Sequence, residues 1–371
     1  MHKYNLSYIA DTPVKRQFEW HGRTSHLFED ALGETVLDQA YVLPSQGYDD
    51  DGLLTGGIVY RGGYLLNSGY ADGWSRGYEF NPDEAVVLEG EYVYVGQLMN
   101  CYGHVFTDNL KKVWWLLHRA SAWGDIKVVY TTEKNEPLAP WAKEVIRLCG
   151  MDADEWLGLD RLTRCERLVV PDNAIRNTPT LRSYHPYLKQ LIERIKVNAL
   201  REGSAEETFF DKLYFTRTGI KNYWRECGEQ SVERFFARRG YHIVSPQELT
   251  VGRQIRMLLH CRSFAATEGS VGHNSIFCRP NTQVYILRKA DYCNLYQVMI
   301  DEMMELDVTY IDVHRSVNVN KKLPMWGPFY LYPSRALHRC FNKFFYRPYW
   351  SRLLYWAYAK NRLYWYQKYI G

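Results

Sequence analysis

His104 and Asp108 stand four residues apart, a spacing that sets two side chains on one face of a helical turn. A carboxylate so placed orients an imidazole and raises its basicity, which suits removal of a proton from a hydroxyl. Further along, Arg217 and Arg225 offer planar guanidinium groups that grip phosphate oxygens through paired hydrogen bonds. The run Glu268-Gly269-Ser270-Val271-Gly272-His273-Asn274 reads as a turn opening a short helix, whose first N–H groups and positive dipole end suit a diphosphate. Each feature has a plainer reading: a helix-cap contact for the His–Asp pair, surface ion pairs for the arginines, and a simple chain reversal for the glycines.

Such groups need elements to hold them. From residue 85 the sequence alternates short apolar runs with stretches of helical period. Strands are predicted over 92–95, 127–130 and 167–171, and helices over 106–120, 141–149 and 183–201. A second alternation predicts strands at 212–216, 241–244, 263–266, 283–287 and 308–313. Helices fall between them at 230–239, 253–260, 271–277 and 295–306. This is the pattern of βαβ units and parallel sheets. With the polar stretch 201–207 between the two runs, it predicts an α/β chain of two Rossmann-like domains facing a cleft, at 86–205 and 206–318. Residues 1–85, rich in Gly, Tyr and Asp, are expected to form an irregular or β lead-in to the first domain. In such sheets ligands sit beyond the carboxyl ends of the strands, where Arg217 and Glu268-Gly269-Ser270 fall.

The 371 residues are 46% hydrophobic and carry a net charge of only +4, which excludes a disordered chain and a histone-like polycation. No run approaches the length of a spanning helix, and the first residues lack the apolar core of a secretory signal. The eight cysteines form no CxxC, so neither a zinc site nor a disulfide framework is expected, and the chain is read as cytoplasmic.

The segment 319–371 stands apart. No acidic residue follows Asp312, and residues 334–371 interleave Lys and Arg with Phe, Trp and Tyr. A basic aromatic helical tail, broken near Pro348, would lie on an inner membrane surface, with a helix packed back on the domains as the alternative. Nucleic acid is not expected as a partner, because the rest of the chain is near neutral.

The order Tyr214-Phe215-Thr216-Arg217, Arg225-Glu226-Cys227-Gly228-Glu229, a helix, Gly240-Tyr241-His242-Ile243-Val244, Gln254-Ile255, then Gly269 to Asn274 and Phe277 resembles glycosyltransferase family 61. The upstream His104-Val105-Phe106-Thr107-Asp108 is similar to the family's His-x-x-x-Asp element. The resemblance implies a GT-B-like fold with an acceptor domain at 86–205 and a nucleotide-sugar domain at 206–318. It implies an inverting, metal-independent transfer from a nucleotide diphosphate sugar, UDP-linked by expectation, to a glycan or lipid-linked glycan in surface polysaccharide biosynthesis. His104 and Asp108 become the catalytic pair, with either His104 or Asp108 as the base and, in the second case, His104 on the sugar. Arg217, Arg225, Glu229, Glu268, Gly269, Ser270, His273 and Asn274 become donor-binding residues. The chain departs from the family pattern at Glu268-Gly269-Ser270, where His-Gly-Ala is usual, and at Gly228-Glu229, where Asn-Glu is usual. A carbohydrate-binding or scaffold protein that kept the fold without turnover is the competing function.

Other spellings carry less. Asp49-Asp50-Asp51 and Asp152-Ala153-Asp154 match a metal-binding Asp-x-Asp by letters only, and Gly73-Trp74-Ser75-Arg76-Gly77 lacks the strand and helix that a nucleophile elbow needs.

Overall fold

The computed structural model describes residues 4–69, 74–122, 124–220, 226–315 and 329–341, together with 353, 357, 360, 361 and 364. It is a mixed α/β structure that divides into two compact units, His26–Glu202 and Met1–Ser25 with Gly203–Gly371.

The larger unit is built on six parallel strands. Their order is Asn5–Tyr8, Asp307–Asp312, Gln283–Arg288, Ser263–Thr267, Lys212–Phe215, His242–Val244. Ser263–Thr267 is buried at every position, as a central strand covered on both faces must be. After Lys212–Phe215 the chain steps outward to His242–Val244. It then crosses back to Ser263–Thr267 on the other side, so the order reverses between those two neighbours.

The edge strand Asn5–Tyr8 was expected in the lead-in to the other half of the molecule. It pairs instead with Asp307–Asp312, and the Ala10 amide donates to Asp312 Oδ2 at 2.6 Å. The helix Thr12–His21 that follows escapes periodicity because it buries only Val14, Phe18 and His21. Its start is written in the sequence all the same: Asp11 accepts from the Val14 amide and Pro13 occupies the first turn.

The unit His26–Glu202 holds a seven-stranded mixed sheet, in the order Gly63–Leu65, Gly57–Tyr60, Glu34–Leu43, Thr163–Pro171, Val86–Leu98, Lys127–Thr132, Leu157–Gly158. The first four strands are antiparallel neighbours and the last four parallel, so only half of this sheet has the Rossmann-like form expected of it. Within the expected lead-in, Glu34–Leu43, Gly57–Tyr60 and Gly63–Leu65 are therefore working strands, and Leu37, Val42 and Ile58 share a core with Tyr94, Val129 and Leu168. The helix Pro186–Arg201 starts three residues later than its periodicity suggested, because Arg182–Tyr184 is drawn into a strand with Ile175–Asn177.

All eight cysteines are free thiols. Among the described residues no helix is long and apolar enough to cross a membrane. The expected helical tail 319–371 differs at its start: Phe329–Leu331 is a buried strand paired with Glu226–Cys227 and His314–Arg315. The helix Arg335–Phe341 follows and is packed rather than free: Leu337 is fully buried and the Phe341 ring meets Phe235, Phe236, Tyr241 and Tyr285. Burial of one such aliphatic side chain contributes about 2 kcal/mol. Further on, Leu353, Ala357, Lys360, Asn361 and Tyr364 are exposed, and the expected break at Pro348 lies outside the described residues.

Candidate active site

In the unit His26–Glu202 the long helix predicted over 106–120 is broken into Tyr102–His104, a π-helical turn Val105–Asn109, and Trp114–His118. The cause is polar anchoring. Asn109 spends its amide on both backbone groups of Met99, accepting from the nitrogen at 2.8 Å and donating to the oxygen at 3.0 Å, which ties the turn to the end of the Val86–Leu98 strand. After Leu110 come two lysines, and both are buried. Lys111 Nζ donates to the Gly69 carbonyl at 2.8 Å and Lys112 Nζ to that of Pro171, while Trp114 Nε1 reaches the Asp172 carbonyl. A helix pinned at so many points widens locally, and π-turns of this kind gather at functional sites.

The widened turn carries the His–Asp pair. His104 Nδ1 lies 2.7 Å from Asp108 Oδ2, and Asp108 is buried while about a third of the imidazole is exposed. An ionised carboxylate only accepts, so Nδ1 carries the proton and Nε2 is left with its lone pair. Thr107 Oγ1 also donates to Asp108 Oδ2, at 2.8 Å, and Asn177 Nδ2 approaches Oδ1 at 3.4 Å. Burial alone would lower the His104 pKa. The Asp108 hydrogen bond and charge, aided by the Glu133 charge, outweigh it and hold the imidazole above its ordinary value.

In the other unit, Arg217 and Glu268 extend adjacent strands. Phe215 pairs with Ala266, so Thr216-Arg217 and Thr267-Glu268 continue side by side at the carboxyl edge where the strand order reverses. That is the crevice position at which open parallel sheets take ligands. The loop bearing Arg217 is held from below: its amide donates to Glu229 Oε1 at 3.3 Å, and the hydroxyls of Thr216 and Thr218 donate to Glu233. Glu229 is fully buried and also accepts from Tyr214 at 3.0 Å, so it positions the Arg217 loop rather than facing a ligand. Arg225 lies outside the described residues.

The departure from Asn to Gly at 228 has a backbone cause. Gly228 has φ of +92° as the cap of the Glu229–Ala237 helix, and a Cβ there would sit 2.0 Å from the Leu331 carbonyl oxygen. Asparagine tolerates the dihedral but not the contact.

The Glu268–Asn274 turn differs from expectation. Gly272–Phe277 is a six-residue 3-10 helix, and the His273 and Asn274 amides bond back to Gly269 and Val271, so a tight turn stands where a helix N-terminus with a dipole was expected. Gly269, at φ +102°, and Ser270 are half-exposed; Glu268, His273 and Asn274 are buried. Glu268 therefore does not reach a ligand hydroxyl in this conformation. Its two oxygens complete no hydrogen bond of good geometry, and burial pushes its pKa up to about 7 against the pull of the Arg288, Lys289 and His314 charges and the Lys289 amide. Those three cationic groups went unremarked in the sequence. Arg288 and Lys289 were findable, since they end the strand after Glu268; His314 was not, because its place is fixed by contacts to the Arg288 carbonyl and Asp291.

The alternative spellings are accounted for by ordinary contacts. Arg76 pairs with Asp49 and Asp51, Asp152 accepts from the Asp154 amide, and Asp154 binds Lys143. Ser75 is buried in a two-residue strand, and Gly73 lies outside the described residues.

No curated protein matches the chain. The family model described as Glycosyltransferase 61 matches residues 102–285, a span that opens just before His104 and Asp108 and takes in Arg217 and the whole Glu268–Asn274 turn. The chain belongs to glycosyltransferase family 61.

Proposed function

We propose that this glycosyltransferase is an inverting enzyme of GT-B type, moving a sugar from a nucleotide diphosphate donor, UDP-linked by preference, to a hydroxyl of a glycan or lipid-linked glycan during surface polysaccharide assembly. The observation that carries the donor assignment is the reversal of strand order between Lys212–Phe215 and Ser263–Thr267, flanked by Arg217 on one side and Gly269-Ser270 on the other. Arg217 meets the diphosphate through charge-assisted hydrogen bonds, the half-exposed Gly269-Ser270 backbone lets the donor approach closely, and Glu268 balances the Arg288, Lys289 and His314 charges from beneath. The charge of the leaving group is met by these side chains without a metal ion.

His104 is the base and Asp108 its orienting partner, since Asp108 is buried and its oxygens are already engaged. The acceptor oxygen attacks the anomeric carbon on the face opposite the leaving group. Its proton passes to His104 Nε2 as the carbon–oxygen bond to the diphosphate breaks, and the nucleoside diphosphate leaves with the bonding pair, its charge held by Arg217. Residues 342–371 rest on the cytoplasmic face of the inner membrane through their basic and aromatic side chains.

Turnover of a panel of nucleotide sugars tests the reading. Release of nucleoside diphosphate that disappears in Arg217→Ala supports it; oligosaccharide binding with no nucleotide affinity would make the chain a carbohydrate-binding protein instead. For the tail, deletion of 342–371 is expected to move the protein from the membrane pellet to the supernatant. Deletion from 334 also removes Leu337 and Phe341 from the core and is expected to lower Tm.

A further inference from the structure

A cavity of about 700 Å³ opens beside the helix Glu229–Ala237, on a side that none of Arg217, Glu268 or Asn274 lines. Its walls carry Arg234, Arg238, Arg239 and His338, with the rings of Phe235, Tyr330 and Tyr332 between them, and no carboxylate among the described lining residues. Arg234 and Arg238 are exposed and form no ion pair among the described residues. Arg239 lies flat on Phe235, its guanidinium carbon 3.4 Å from the ring centroid, and donates to the Phe235 carbonyl. Tyr330 and Tyr332 stack nearly parallel, with centroids 5.9 Å apart. The two acidic residues of the same helix are engaged elsewhere, Glu233 by Thr216 and Thr218 and Glu229 by Tyr214 and the Arg217 amide.

Cations at the last turn of a helix suit its dipole, which accounts for one such residue but not for three guanidinium groups around one aromatic-walled hollow. Burial first, and then the charge of Arg238, lowers the Arg239 pKa, and a neighbouring anion would relieve both costs. Guanidinium forks match phosphate oxygens, and the rings offer an apolar wall to whatever carries the phosphate.

We propose that this cavity is a second phosphate-binding site, separate from the donor diphosphate site, for a phosphate ester with an apolar portion. The phosphate comes from a phospholipid headgroup or from a soluble phosphate ester, and two probes separate these sources. The full chain is assayed for co-sedimentation with phosphatidylcholine vesicles with and without phosphatidylglycerol, and for binding of phenyl phosphate. The double variant Arg234→Gln/Arg238→Gln is compared with wild type. Both positions are exposed, so the fold is expected to persist, and Tm checks this.

The proposal expects wild type to bind at least one probe, with affinity falling as salt is added. The double variant is expected to lose about tenfold of that affinity, while its affinity for UDP stays unchanged. Vesicle binding alone assigns a lipid headgroup, and phenyl phosphate binding of equal strength assigns a soluble ester. A variant that binds both probes like wild type overturns the proposal, since the basic tail then accounts for any vesicle binding. Loss of UDP affinity in the variant overturns it too, by making the cavity part of the donor site. Wild type that binds neither probe overturns it outright.

Discussion

Asp108 and Glu268 are both shut away from solvent, one in each unit, and their surroundings treat them in opposite ways. Asp108 accepts from His104 and Thr107 on one oxygen, with Asn177 near the other. Glu268 is buried as completely, completes no hydrogen bond of good geometry, and has its pKa pushed up to about 7 by loss of water. A buried carboxylate is costly until its lone pairs are used. In the His26–Glu202 unit the cost is offset locally, and what results is an oriented imidazole. Beside Arg288, Lys289 and His314 it is offset only in part, and what results is a charge that comes and goes near neutral pH.

The contrast is broken most forcefully at His104. His104→Ala is expected to lower kcat by about 10²- to 10⁴-fold, the usual worth of a positioned base, and to leave UDP affinity nearly unchanged. Steady-state rates and nucleotide titration check it; near wild-type kcat would end the assignment of His104.

Asp108→Asn keeps an acceptor for Nδ1 but removes the charge. His104 must be unprotonated to act, so the acidic limb of kcat/KM in wild type is expected to lie above the ordinary histidine value. In Asp108→Asn the limb is expected to move to lower pH as kcat falls by about 10²-fold. A pH profile from acid to neutral reads both effects, and a limb that stays in place would show that Asp108 does not tune the imidazole.

Glu268 predicts a signature in stability rather than rate. Its folded pKa is raised, so between about pH 4.5 and 7 the native state holds a proton that the unfolded chain has released, and stability falls as pH rises across that window. Asp301, buried between Tyr310 and Gln297 with its pKa also raised to about 7, adds a slope of the same sign. Glu268→Gln is expected to flatten the decline and to be more stable than wild type at pH 8, by about 2–3 kcal/mol. Thermal unfolding across that range measures it. An unchanged slope would mean that Glu268 remains ionised in the fold.

The two carboxylates also mark how far the sequence could be read. The i,i+4 spacing announced His104 with Asp108, and the strand ends announced Arg217 and Gly269, because both follow from local period and from the rule that ligands gather at carboxyl edges. The π-turn was not legible: it depends on Asn109 reaching back to Met99 and on two lysines buried where periodicity expects a solvated face. Asn177 lies 69 residues from Asp108 and only the folded sheet brings them together. The parallel sheet was legible as alternation, yet its sixth strand comes from residues 5–8, where four residues carry no periodic signal. Glu268 was visible as a departure from the family pattern. Its burial was not, since that depends on Arg288, Tyr292, Cys293 and His314, up to 46 residues away, gathering round it.

The finest test concerns how firmly Asp108 is committed to His104. Thr107 Oγ1 shares Oδ2 with the imidazole at 2.8 Å, whereas Asn177 Nδ2 stands 3.4 Å from Oδ1 and contributes weakly by its length. Each donor draws carboxylate charge away from His104. Thr107→Val therefore returns charge to the imidazole and is expected to move the acidic limb of kcat/KM upward, opposite in direction to Asp108→Asn, with a rate loss of about 3- to 10-fold from a looser ring. Asn177→Ala is expected to move it in the same direction by less, with kcat within about 3-fold of wild type. If Thr107→Val instead shifts the limb downward, Asp108 has turned away from His104 on losing its second donor, and the hydroxyl is then what keeps the carboxylate in place.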